Sequence, residues 1–158
     1  MSTERDDIIF KIHYSLTYDA MNEVFYQRLD TAISFICIIF GATVVGNMGF
    51  EYLTGITIVI ASTLAILIKP GEKAAQFRNS KKSYIRLSEL LPVDNEELKA
   101  KFAALQENDH EGINAFRCAA YIRAGLITGR DVANEKLSTF EYYMSKLGGE
   151  FLSKTGNE

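Results

Sequence analysis

Two stretches without a charged residue stand almost back to back, residues 31–50 (TAISFICIIFGATVVGNMGF) and 52–68 (YLTGITIVIASTLAILI), with only Glu51 between them. A bilayer core of ~30 Å takes about 20 apolar residues at 1.5 Å each, so both stretches have spanning length. The link between them, VGNMGFEYLTG, is short and carries Gly46, Gly49 and Gly55. Two spans joined so closely must run antiparallel, which predicts an all-α membrane protein built on a two-span helical hairpin. The rest of the chain is charged and helix-favouring, and only two prolines interrupt it. Disorder is therefore not expected.

Basic residues set the orientation. Arg28 and Lys11 precede the first span, and Lys69, Lys73, Arg78, Lys81, Lys82 and Arg86 follow the second. The tip has neither Lys nor Arg, so the positive-inside rule places both termini in the cytoplasm and the tip outside. The first 28 residues hold several acids and no continuous apolar core, so no cleaved signal is expected. A net charge of −3 gives no overall attraction to nucleic acid, and no direct DNA readout is expected.

Periodicity divides the chain into a cytoplasmic N-terminal helix (1–30), the first span (31–50), the second span (51–68), a basic juxtamembrane helix (69–91) and a cytoplasmic three-helix region or bundle (92–158). In the first, Ile8, Ile9, Ile12, Leu16, Met21, Val24 and Phe25 recur at steps of three and four, with Asp6, Asp7, Asp19 and Glu23 expected on a solvated face. No proline or glycine intervenes between Ser2 and Phe40, so this helix should run straight into the span. Lys69-Pro70-Gly71 predicts a kink or break. Ala74, Phe77, Tyr84, Leu87 and Leu91 mark the next apolar stripe, ended by Pro92. Three helices are then expected at about 94–108, 111–126 and 131–147, the last stopped by Gly148 and Gly149.

The spans carry more small and hydroxyl side chains than anchoring requires. Thr31, Ser34, Cys37 and Gly41 share a sector of about 120°, and Thr54, Thr57, Ala61 and Ala65 share one face of the second span. Such faces let helices approach closely in lipid, either within one hairpin or between copies, or they line a weakly polar pore. No acid, base or histidine lies inside a span, which argues against a proton relay or ion-coupled carrier. The basic residues Lys69, Lys73, Arg78, Lys81, Lys82 and Arg86 are candidate contacts for lipid headgroups or for an anionic ligand.

Signals for an enzyme are missing. Cys37 and Cys118 lie far apart in the chain and read as buried thiols. His13 and His110 have no metal-ligand spacing around them, and no nucleophile has a partner base, so no catalytic residue, cofactor or metal is assigned. Tyr14, Tyr18, Tyr26, Tyr142 and Tyr143 read as packing aromatics.

The order of parts, with KAAQFRNSKKSYIRLSELL after the second span and YQRLDTAISF at the start of the first, resembles the SLATT family of small two-span bacterial effectors across residues 10–90. The resemblance implies a pore-forming effector or ion channel of an anti-phage defence system, which depolarises the inner membrane when a nucleotidyltransferase or its nucleotide product activates it. One pair of spans cannot make a pore alone, so a channel must be a homo-oligomer in the bilayer, with a symmetric ring of four subunits the first expectation. No fused sensor domain is expected in this stretch, so the helical part or a separate partner is expected to read any activating ligand. The rival expectations are a holin-like phage lysis protein and a non-conducting scaffold for a cytoplasmic partner.

Overall fold

The computed structural model describes residues 2–45, 51–89, 94–107 and 110–152. The tip with Gly46 and Gly49, and the stop at Leu91 and Pro92, lie outside the described residues. Among those described, the chain forms six α-helices and one short 3-10 turn, with no strand. It is an all-α protein.

Helix α1 (Ser2–Val45) is the axis of the molecule. Its 44 residues make a rod of about 66 Å that passes the expected boundary at residue 30 without a break. The antiparallel helix α2 (Glu51–Ile68) lies beside its second half. These two helices are long and apolar enough to cross a membrane. Phe35, Ile38, Leu53, Val59, Ile66 and Leu67 stand exposed along them, so the apolar stretches are not the buried core of a water-soluble body.

The first half of α1 is wrapped on several sides. Helix α3 (Pro70–Glu89) and helix α4 (Asn95–Gln106) cover one side, where Ile8, Ile12, Tyr84, Leu87, Leu98 and Phe102 form one cluster, and Tyr26, Ala74 and Phe77 another. Helix α5 (Arg117–Thr128) and helix α6 (Thr139–Leu147) cover another, through Met21, Phe116, Ala119, Ala120, Ile122 and Leu137. This surround corrects one expectation. Asp6 and Asp7 are exposed, but Asp19 and Glu23 are buried, at 4% and 6% exposure. A helix covered on more than one side has no continuous solvated face for its acids.

The break after α2 is confined to one residue. Lys69 takes a left-handed conformation (φ 49°), its N–H donating to the Ala65 carbonyl while its own carbonyl accepts from Lys73. Pro70 then opens α3, where its missing N–H costs nothing. The two later helices start further along than periodicity suggests. A 3-10 turn (Asn114–Phe116) precedes α5, after Ile113 N–H has bonded to Asn22 Oδ1 at 2.9 Å. Residues 131–138 are not helical. Val132 and Leu137 are buried there as separate plugs, Val132 so close to Gly125 that a Cβ at that glycine would fall 2.3 Å from it. Helix α6 begins only at the Ser138–Glu141 capping box.

Candidate functional site

The register of the hairpin follows from two contacts. Cys37 Sγ lies 4.0 Å from Ser62 Oγ, and Asp30 sits against Gly71. Ile33 on α1 and Thr54 and Ala61 on α2 are buried along this seam, while Cys37, Thr57 and Ala65 are half-buried. The small face of α2 therefore turns toward α1. Thr31 and Ser34 remain exposed outside the seam, and Gly41 is half-buried with open space beside its Cα.

The expected hydroxyl residues do not form one belt. The register sets Thr31 near Lys69 in depth, so Thr57 stands about 18 Å further along the hairpin. The hydroxyl protons of Thr31, Thr57 and Thr63 are donated to the carbonyls of Gln27 (2.9 Å), Leu53 (3.0 Å) and Val59 (2.7 Å). Each oxygen keeps lone pairs that a cation or a donor from another helix can use. On the outer face of α2, Gly55 opens an apolar groove of about 390 Å³ between Tyr52, Ile56, Val59 and Ile60.

The six basic residues after α2 divide by partner. Lys69 pairs with Glu72 at 3.2 Å, and Lys73 lies over the Tyr26 ring at 5.2 Å. Arg78 Nε, at 2.8 Å, and Lys81 Nζ both reach the buried Glu23 carboxylate. Lys82 and Arg86 are exposed. Burial would raise the Glu23 carboxyl, but the two hydrogen bonds and two positive charges outweigh it and hold it below its ordinary value. Glu23 thus clamps α1 to α3 just inside the point where both helices leave the apolar hairpin. The stacked rings of Tyr26 and Phe77, 5.8 Å apart and 7° from parallel, extend the same junction.

A cavity of about 410 Å³ opens among α1, α4 and the start of α5. Lys11, Tyr14, Tyr18 and Asp19 of α1 line it together with Phe102, His110 and Arg117. The Tyr14 and Tyr18 rings lie 6.1 Å apart and 9° from parallel. Burial pushes both phenols up, with Arg117 working against it, so both keep their protons as donors at neutral pH. Two cations, Lys11 and Arg117, and two carboxylates, Asp19 and Glu111, meet aromatic surface here. Sequence reasoning treated Tyr14, Tyr18 and His110 as unconnected residues. They come from segments about 90 residues apart, and only the Tyr14–Tyr18 spacing hinted at a shared face.

Among the described residues, no cluster of His, Cys, Asp and Glu is arranged to hold a metal ion. His13 is half-buried, and burial lowers its pKa, so it stays neutral at pH 7. Burial, followed by the charges of Glu141 and Glu135, raises the Cys118 thiol, which makes it a poor nucleophile. Compared with known proteins, the chain matches no family model, no curated protein and no solved structure.

Proposed function

We propose that this protein is an oligomeric membrane effector of a bacterial defence system, whose hairpins assemble in the inner membrane and conduct ions when the cytoplasmic body is triggered. The observation that carries this reading is the sidedness of the hairpin. Its internal seam uses one side of each helix, and the exposed hydroxyls of Thr31 and Ser34 and the Gly55 groove remain outside it. In lipid, small and polar faces are covered by other helices rather than by acyl chains. One hairpin encloses no pore, so conduction belongs to a ring of copies, for which a tetramer is the working assignment.

The cytoplasmic part gives such a ring a means of control. One body of helices holds both legs of the hairpin, α1 directly and α2 through α3 and the Glu23 clamp. We assign the reading of an anionic activator, such as a nucleotide made by a partner enzyme, to the Tyr14–Tyr18 cavity. Arg78 and Lys81 are committed to Glu23 and do not serve as its receptor. Lys69 and Lys73, at the start of α3, are left to face anionic headgroups, with both termini cytoplasmic.

Induced expression with a membrane-potential dye tests the reading. The wild-type chain, in the presence of its activator, should depolarise cells. The double variant Thr31→Val, Ser34→Ala should reduce depolarisation at least about tenfold with unchanged expression and oligomer mass, because apolar rings at that depth expel water. A wild-type chain that leaves the potential intact, even with its native gene neighbours and a phage challenge, would make a non-conducting scaffold the better reading.

A further inference from the structure

The C-terminal end of α6 lies at an unusual height. Arg28 Nη1 donates to the carbonyls of Lys146 and Leu147, both at 2.9 Å. Both carbonyls lie at the negative end of the helix, where a guanidinium is favoured, and that of Lys146 also accepts from Gly149 N–H at 3.1 Å. Gly148 and Gly149 bring the chain directly against α1. A Cβ at Gly148 would stand 3.1 Å from Met21 Cβ, and one at Gly149 would stand 3.3 Å from Val24. The end of α6 is therefore fixed beside residues 21–28, with Arg28 only about 4.5 Å along the axis from Thr31. A headgroup layer is about 5–8 Å deep on each side of a bilayer, so this end falls within it.

The side chains presented there suit that layer. Tyr143 and Leu147 share one face of α6 and are 61% and 48% exposed, and Phe151 just beyond is 78% exposed. Phe140 continues the face one turn further from the hairpin and is also exposed. The opposite side of α6 is already used, with Ser145 buried and Met144 packed on the core. An aromatic and aliphatic patch facing water on a small body is costly, whereas at the bilayer interface amphipathic rings and short apolar faces are stabilised.

We propose that Tyr143, Leu147 and Phe151 dip into the cytoplasmic headgroup layer, so that α6 is a third, peripheral membrane contact beside the two spans. The occupant of this surface is the lipid bilayer itself, continuous with the lipid around the hairpin. The inference rests on the hairpin crossing that bilayer. It makes the cytoplasmic body a unit seated on the membrane rather than one hanging from two stalks.

The chain contains no tryptophan, so single-tryptophan reporters can be read without background. Full-length Phe151→Trp, Tyr143→Trp, Leu64→Trp and Tyr121→Trp would each be reconstituted in vesicles of anionic phospholipid with or without brominated acyl chains. Leu64 lies in α2, and Tyr121 packs on Phe10 far from the hairpin. The Leu64→Trp reporter should lose most of its emission, Phe151→Trp and Tyr143→Trp about half, and Tyr121→Trp almost none. If Leu64→Trp is quenched while Phe151→Trp and Tyr143→Trp are not, the α6 contact is refuted and the spans stand. Shielding of those two from acrylamide, again without bromine quenching, would assign the patch to another copy of the chain instead. An unquenched Leu64→Trp would overturn the spans and this inference together.

Discussion

At the residue scale the decisive side chain is Glu23. A carboxylate is taken out of water only where cations compensate it, and Arg78 and Lys81 do so from the neighbouring helix. Its folded pKa lies below the ordinary 4.5, so its contribution to stability is complete above that value and is lost as pH falls through the lower folded value. Thermal unfolding of the reconstituted protein should therefore show a midpoint that drops in the acid range below about pH 4.5. Glu23→Gln should cost between about 1 and 3 kcal/mol at pH 7, less than a fully buried pair, because Arg78 and Lys81 stay partly solvated. That variant should also show a smaller acid drop. Equal midpoints for the variant and the wild type at pH 7 would show that the clamp contributes nothing.

At the element scale the question is how the two legs pair. The 4.0 Å approach of Cys37 to Ser62 gives a direct check. In a Cys118→Ser background, Ser62→Cys should form an intrachain disulfide with Cys37 on mild oxidation, seen as a faster-running monomer without reductant. Dimers joined through these cysteines would instead put this face between copies. The elements also show what the sequence discloses. The hairpin was legible because freedom from charge over about 20 residues is a property of composition alone. The unbroken α1 was legible because nothing before Phe40 can interrupt a helix. Glu23 was not, since one-dimensional periodicity assumes a single buried face and α1 has more than one. The start of α6 was missed because Val132 and Leu137 continue an apolar spacing for a tertiary reason, filling separate gaps, while the backbone between them is not helical. The cavity stayed hidden because its lining is assembled only when α4 and the start of α5 close on α1.

On the scale of the whole molecule, two unequal connections join the body of helices to the hairpin. The first leg is continuous helix from Ser2 to Val45, and the second is interrupted at Lys69. A continuous helix curves only gently, whereas a sharp change of helix direction sits at an identifiable break, here Lys69. If a trigger tilts the first leg, Lys69 is the place where the second leg would turn to follow it. A tilt imposed on the helix at the depth of Tyr14 would then reach the far end of the hairpin, while the second leg need only pivot. A joint cut into α1 should abolish transmission without dismantling either end. Leu29→Pro, which costs about 3 kcal/mol in a helix interior, should leave the protein in the membrane fraction with its helical signal largely intact, yet silent to the trigger in the dye assay. A Leu29→Pro protein that still depolarises normally would mean that the stiffness of α1 carries no signal. A silent Leu29→Pro protein would instead make stroke length, set by where the rod is pushed relative to Lys69, the quantity that governs opening.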